Sequence, residues 1–245
     1  MTPATLDNTI RRWVRVGVLF GNRPARQSPD LERLLMDTAR LAPSHARLFV
    51  LGVTWLSRYS NFVARHRLKR LVLRELDRDE NAVLGLMLDL AIKHGAARNL
   101  NIAAEACGRI ARPRPLFDIH GTSASRQRSA ERTACPEARR RGLWAPDVEI
   151  KLDALRPAAW IIARNPTFRD RAIRKGDLRA TIIETLRHDA PDGQLPSEGV
   201  LAEWCAANRP AVSAALDDLE LEGICLRRPD ADDRRRHRIQ LPAAA

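Results

Sequence analysis

Three side chains near the middle of the chain, Cys107, His120 and Cys135, are of the types that bind zinc through sulfur and nitrogen. Their spacing matches none of the paired patterns that zinc sites use, which favours structural thiols and a surface histidine. The other two cysteines, Cys205 and Cys225, are also far apart, and each falls at an apolar position of a predicted helical or strand segment. The sequence therefore predicts no metal site and four reduced, buried cysteines.

A catalytic set can be imagined from Asp118, His120, Ser123 and Ser125, which offer a carboxylate, an imidazole and two hydroxyls. No nucleophile elbow, Walker loop or glycine-rich dinucleotide motif surrounds them. A second histidine–aspartate pair, at 188–189, follows a predicted helix and is interpreted as a turn. We therefore expect a protein that is not an enzyme and that carries no cofactor.

Arginine is the residue type from which the function of this chain is best argued. The chain has 42 basic and 30 acidic side chains, a net charge of +12 and a pI near 10.9, and only four of the basic residues are lysines. A protein this basic usually meets a polyanion, because each neutralised phosphate releases counterions. A genome that favours arginine codons is the alternative explanation. Charge by itself favours nucleic-acid binding.

The hydrophobic content of 44% supports a buried core, and the aromatic content of 4% means that this core is mostly aliphatic and favours helices. The stretch 13–20 is apolar, but it is short and interrupted by Arg15, so it predicts neither a transmembrane span nor a signal peptide. We expect a cytoplasmic protein without a membrane partner.

The N-terminal part divides into a basic, irregular segment (1–28) and an all-helical domain (29–110). Ser28 can cap the first helix, and Pro29 suits its first position. Apolar periodicity predicts further helices over 45–59, 61–76, 80–94 and 102–110. Two alternatives stay open here. The aromatic residues Phe49, Trp55, Tyr59 and Phe62 form either core or an effector pocket, and the basic run 65–70 forms either a solvated face or a phosphate contact.

Residues 111–152 are basic, with eight arginines against three acidic residues between 111 and 141, a composition that indicates either a solvated basic linker or an arm that touches phosphate. Residues 153–177 are expected to form connecting helices that break at Asn165-Pro166. The second of these is basic and contains Arg169, Arg171, Arg174 and Lys175.

The strongest pattern lies in residues 178–245. A helix over 178–186 is followed by a turn, a helix capped by Ser197, and a helix capped by Asn208 that ends at Gly223. Two strands should follow, around 224–228 and 235–241. Three helices and a basic hairpin predict a winged helix-turn-helix. The expected fold class is thus mainly α: an N-terminal helical domain plus a C-terminal winged helix-turn-helix with a small β-hairpin wing.

The same region also resembles two known families. The blocks 195–198 (LPSE), 201–202 (LA), 208–212 (NRPAV) and 215–223 resemble the GntR-type pattern, and 227–235 (RRPDADDRR) resembles the wing of MarR-type regulators. This resemblance implies that Asn208, Arg209 and Ser213 meet DNA at the start of the recognition helix (209–222). It also implies that Arg234 and Arg235, in an arginine-rich wing (227–238), reach the minor groove. The complete set of candidate DNA-binding residues is Ser197, Asn208, Arg209, Ser213, Arg227, Arg228, Arg234, Arg235, Arg236, Arg169, Arg171, Arg174 and Lys175.

Charge is unevenly distributed between the two parts. Residues 178–245 hold nine basic and twelve acidic side chains, whereas residues 1–177 hold 33 basic and 18 acidic ones. We therefore expect the basic run 169–175, or the 112–141 segment, to supply most of the non-specific attraction to DNA. The outward face of the third helix is small or acidic (Ala211, Ala214, Asp217, Asp218), which predicts that its second half stays outside the groove.

Three functions are compatible with these patterns. The first is a double-stranded-DNA-binding transcriptional regulator, homodimeric or partner-bound through its N-terminal helical domain. The second is a DNA-binding accessory subunit of a larger phage-defence, mobile-element or replication system, in which the helical domain docks partner proteins. The third is an interaction module that does not bind DNA. Loss of affinity for a random duplex as salt rises would separate the first two from the third.

Overall fold

Residues 5–190, 195–230 and 237–242 are described by the computed structural model of the chain. They are mainly helical, which confirms the predicted fold class at that level. None of the described helices is both long and apolar enough to cross a bilayer. The helices of the first hundred residues are α1 (Leu6–Arg15), α2 (Leu31–Leu41), α3 (Ala46–Tyr59), α4 (Arg65–Glu75), α5 (Arg78–Lys93) and α6 (Asn101–Ala104).

The first body is built around α3 and α5, which are apolar nearly all round. The basic N-terminal segment is not irregular, because α1 places Trp13 in this core, where its ring meets Trp55 edge-on at 5.6 Å between centroids. The indole of Trp55 donates a hydrogen bond to the Val16 carbonyl over 2.9 Å. Phe49, Trp55, Tyr59 and Phe62 are all buried, which favours the core interpretation over a pocket.

The segment 111–152 is folded onto this body, so it is not a solvated linker. It contributes a two-residue parallel pair, β1 (Arg114–Pro115) with β2 (Leu143–Trp144), and the helices α7 (Asp118–Gly121), α8 (Ala124–Thr133) and α9 (Pro136–Arg140). Leu116, Leu143 and Val148 lie in the same core as Trp55. A few well-spaced apolar side chains are enough to anchor a segment whose average composition is that of a linker.

The helices α10 (Ala158–Arg164) and α11 (Thr167–Arg174) complete the first body through buried Ile161 and Phe168. The chain then turns sharply at Lys175 and Gly176, which have φ angles of 48° and 65°. A Cβ atom at Gly176 would lie 2.0 Å from the Val63 carbonyl oxygen, so only glycine fits this turn. The turn directs the chain into the C-terminal unit.

The C-terminal unit has its own core, formed by three helices and two antiparallel strands. Its elements are α12 (Leu178–His188), α13 (Glu198–Trp204), α14 (Arg209–Leu221), β3 (Leu226–Pro229) and β4 (His237–Gln240). Between α12 and α13 the chain pairs with β4. The Ile239 N–H donates to the Pro196 carbonyl over 3.0 Å, and Ser197 forms an isolated antiparallel β-bridge with Arg238. Cys205 and Cys225 are buried in this core, as predicted.

Candidate nucleic-acid interface

The N-terminus of α14 is exposed and well defined. The Asn208 side chain accepts a hydrogen bond from the Ala211 N–H over 2.8 Å, which confirms the predicted cap. Arg209 and Pro210 occupy the first turn, and both Asn208 and Arg209 are exposed. The first backbone N–H groups of a helix have no intrahelical partner and lie at the positive end of its dipole. In α14, Pro210 has no N–H and the Ala211 N–H is taken by the cap, so this end offers an anion the Arg209 N–H and the Arg209 guanidinium.

Ser197 and Ser213 are less accessible to a DNA backbone than Asn208 and Arg209. The Ser197 hydroxyl caps α13 by accepting from the Val200 N–H over 3.4 Å, and the residue is half-buried. Ser213 is also half-buried, and it lies one turn after Arg209 on the same face of α14. Of the two, only Ser213 has a hydroxyl with no structural role among the described hydrogen bonds.

Arg227 does not point freely into solvent. Its guanidinium donates to Asp217 over 2.6 Å, to Glu220 over 3.1 Å and to the Ser213 carbonyl over 3.0 Å. Partial burial lowers the pKa of Arg227, but the hydrogen bond and charge of Asp217 outweigh it and raise that pKa above its ordinary value. Arg227 therefore ties β3 to α14 and is not free for phosphate.

The remaining wing residues divide by exposure. Arg228 is exposed on β3 and lies opposite Arg238 in the strand register. Arg238 donates to Asp230 over 2.7 Å and to the Leu195 carbonyl over 3.1 Å. Arg234, Arg235 and Arg236 lie outside the described residues.

The second half of α14 is acidic on its outer side. A cavity of about 410 Å³ lies between α14 and the strands, and its lining consists of Glu198, Ser213, Asp217, Glu220, Arg227 and His237. Asp218 is exposed nearby and receives a hydrogen bond from Arg179 over 3.3 Å. Positive charge on this helix is thus confined to its first turn.

The prediction that Arg171 contacts phosphate is wrong. Its side chain is 1% exposed, and its guanidinium donates to Glu32 over 2.6 and 3.0 Å, to Glu184 over 2.5 Å and to the Phe62 carbonyl over 2.8 Å. Burial lowers the pKa of Arg171, but the charges of Glu184 and Glu32 outweigh this effect. The net result is a pKa above the ordinary value, so the group stays charged. A guanidinium with these partners holds the core together and cannot reach DNA.

The rest of the basic run is divided. Arg174 is buried beside Glu222 and Asp170, so its predicted phosphate contact is also wrong. Arg169 and Lys175 are exposed, and they stay candidates for phosphate contact. The run 169–175 therefore offers half of the charge that its sequence suggests.

A buried charge network between the two bodies escaped sequence reasoning. Arg67 is fully buried, and its guanidinium donates to Asp30, Glu32 and Asp189 over 2.6 to 2.9 Å. The basic run 65–70 is therefore only partly a solvated face. Burial alone would raise the pKa of Asp30, but the hydrogen bond and charge of Arg67 bring it well below its usual range. The sequence contains a signal for the burial of Arg67. Arg67 precedes Leu71 by one turn and so falls on the apolar face of α4.

The side chains considered for chemistry are not brought together. Cys107 is buried, and this burial raises the pKa of its thiol to about 12. Asp118 accepts a hydrogen bond from Ser44 over 2.5 Å, whereas the His188 ring lies 3.3 Å from Glu184. Within the part of the chain that the structure describes, no three His, Cys, Asp or Glu side chains are arranged to hold a metal ion.

The blocks that resemble the GntR-type pattern fall on the start of α13 and on the first turn, core face and end of α14. They are therefore the segments that build the helix pair and its caps. Comparison with protein-family models, with curated proteins and with solved structures found no match for this chain.

Proposed function

We propose that residues 178–242 form a winged helix-turn-helix and that the protein binds double-stranded DNA as a transcriptional regulator. The order of elements supports this proposal: α12, a strand-like segment at Ser197, α13, α14, and then β3 paired with β4. In this plan α14 is the recognition helix and the two strands form the wing.

The exposed first turn of α14 is the observation that carries the proposal. Asn208 caps the helix start, Arg209 contributes an unpaired backbone N–H and a cation, and Arg228 is exposed on the strand that Arg227 holds against the same helix. A phosphate in this position would accept hydrogen bonds from the backbone and from Arg209. The acidic second half of α14 restricts close approach to this end.

Duplex binding in a salt series tests the proposal. We expect the dissociation constant for a random duplex to rise steeply with salt, and Arg209→Ala to weaken binding by about 1 to 3 kcal/mol. Arg58→Ala is the matched control, because Arg58 is exposed on α3 in the other body. Salt-independent binding, or equal effects of the two substitutions, would contradict the proposal.

The accessory-subunit function makes a different prediction, although the two share a DNA-binding surface. A regulator should enrich one motif from a random duplex library, because base contacts specify a site. An accessory subunit that grips the backbone should enrich none while still losing affinity as salt rises. A homodimeric regulator should further enrich a palindrome, since protein symmetry is mirrored in the site.

A further inference from the structure

Several exposed arginines lie on neighbouring elements of the first body, beginning beside the C-terminal unit. We propose that these arginines, the arginine track, form a second contact surface for the backbone of the duplex. This inference rests on the proposed DNA binding and extends it beyond the wing. The track consists of Arg74, Arg78, Arg109, Arg140 and Arg132.

The track begins at the junction of the two bodies. Arg74, at the end of α4, lines a cavity of about 350 Å³ together with Trp204 of α13. The acids Glu75 and Asp189 also line this cavity. Trp204 lies four residues before Asn208, the cap of the recognition helix. Arg78 begins α5 only four residues after Arg74, and its guanidinium donates to the Arg109 carbonyl over 3.2 Å. This contact places the side chains of α4 and α5 beside the loop that carries Arg109.

The track then continues to α8 and α9. Arg109 and Arg140 line one open cavity of about 480 Å³. The neighbouring Arg139 donates to the carbonyls of Glu131 and Ala134, over 2.5 and 3.1 Å, and so fixes α9 against the last turn of α8. Arg132 lies in that turn. Arg139 is fixed by these two hydrogen bonds and is left out of the track, whereas among the described residues Arg78 makes a single hydrogen bond, through Nε, and keeps both terminal nitrogens for phosphate.

The five arginines of the track differ from the buried ones in their partners. All five are exposed, and none forms an ion pair within residues 5–190, 195–230 and 237–242. By contrast, the nearby Arg114 and Arg141 are paired with Asp79 and Asp89. Three exposed acids that form no ion pair with another described residue lie beside the five arginines: Asp77, Glu105 and Glu131. The arginines of the track therefore outnumber the neighbouring acids that have no ion pair in the described part of the chain.

Phosphate is the chemistry that fits this surface. Guanidinium groups bind phosphate oxygens in a planar, forked geometry, and several neighbouring ones suit the repeated negative charge of a duplex. The track also resolves the charge problem of the C-terminal unit, which is net acidic although it carries the recognition helix. The duplex would meet Arg209 at α14 and be held along the first body by the track.

Charge reversal tests this placement. We expect Arg109→Glu with Arg140→Glu to weaken binding of the full chain to a duplex of about 25 base pairs at least tenfold more than the control, and to lower the salt slope by about two. The control is Arg23→Glu with Arg58→Glu, which changes net charge equally at exposed arginines elsewhere. Thermal melts of both variants check folding, and Arg109→Gln with Arg140→Gln repeats the test without added negative charge.

The outcomes separate this inference from the proposed function. If the unaltered chain shows no salt-dependent binding, the proposed function fails and the track fails with it. If the chain binds and Arg209→Ala weakens it, but the track variant behaves like its control, only the track is wrong. A track variant that loses duplex RNA and keeps duplex DNA would also overturn the inference.

Discussion

The guanidinium of Arg67 and the carboxylate of Asp189 join the two bodies of the protein by two hydrogen bonds, of 2.9 and 2.8 Å. Arg67 is fully buried and Asp189 nearly so. Asp189 follows α12, the first helix of the C-terminal unit, and Arg67 lies on α4 of the first body. The proposed DNA-binding unit is therefore held to the rest of the chain by charges removed from water.

This junction should be a large contributor to stability. Removal of one partner of a buried ion pair leaves an uncompensated charge and costs about 3 to 5 kcal/mol. We therefore expect Arg67→Ala to lower the free energy of unfolding by this amount in urea denaturation. Arg58→Ala, at an exposed site, should change it by less than about 0.5 kcal/mol. Similar values for the two variants would show that the network is not structural.

The charge network should also make the protein sensitive to acid. Burial would raise the pKa of Glu184, but the charge of Arg171 lowers it to about 2, and Asp30 and Asp189 are lowered as well. A carboxylate with a lowered pKa stabilises the fold fully above its unfolded pKa, about 4, and this contribution is lost as pH falls through the folded value. The free energy of unfolding should therefore fall between about pH 5 and pH 2.

Urea denaturation at a series of pH values measures this fall, and Glu184→Gln provides the comparison. The variant should be less stable than the unaltered chain at pH 7, and its stability should depend less on pH, because one titrating carboxylate is gone. An identical acid dependence for the two proteins would rule out the assigned role of Glu184.

The two arginines of α11 should separate stability from binding. Arg171→Ala should destabilise the fold by about 3 to 5 kcal/mol, because Glu32 and Glu184 lose a buried partner. Arg169→Ala should leave stability within about 0.5 kcal/mol and, if Arg169 contacts phosphate, lower the salt slope of DNA binding by about one. Denaturation and salt-dependent binding of both variants distinguish the two roles, and the reverse pattern would refute the placement of Arg171 in the core.

The turn between the two bodies should tolerate no side chain. Gly176→Ala introduces a Cβ into the Val63 carbonyl at a positive φ, so we expect a loss of more than about 2 kcal/mol in the free energy of unfolding. Gly199→Ala is the matched control, since Gly199 lies in α13 with open space around it. That variant should be neutral or more stable by up to about 1 kcal/mol. Equal effects on thermal unfolding would contradict the tight turn.

The acids on the outer side of α14 should oppose DNA binding. Asp218 is exposed and negative near the proposed groove, so Asp218→Asn should strengthen duplex binding about fivefold, the effect of about 1 kcal/mol of repulsion. Arg228→Ala should weaken binding, because Arg228 is exposed on the wing strand. Fluorescence anisotropy with a labelled duplex measures both. Weaker binding by Asp218→Asn would show that the duplex approaches from another side.

Local features of this protein were determined by the sequence alone. The period of apolar residues placed most of the long helices, and the caps at Ser197 and Asn208 were read from residue types, because capping depends on a side chain and the N–H groups two or three residues away. One local prediction is wrong, because two residues near the start of α2 can cap it. Asp30 is the cap, and Ser28 is not.

Only the tertiary structure decided which charges face water. Arg169 and Arg171 are two residues apart in one basic helix, yet one is exposed and the other is fully enclosed. The difference comes from Glu32, which lies far away in the sequence, and the free energy of a buried charge depends on where such partners meet it. Contacts between residues far apart in the sequence also anchor 111–152 to the core and bring the arginines of the proposed track onto neighbouring elements.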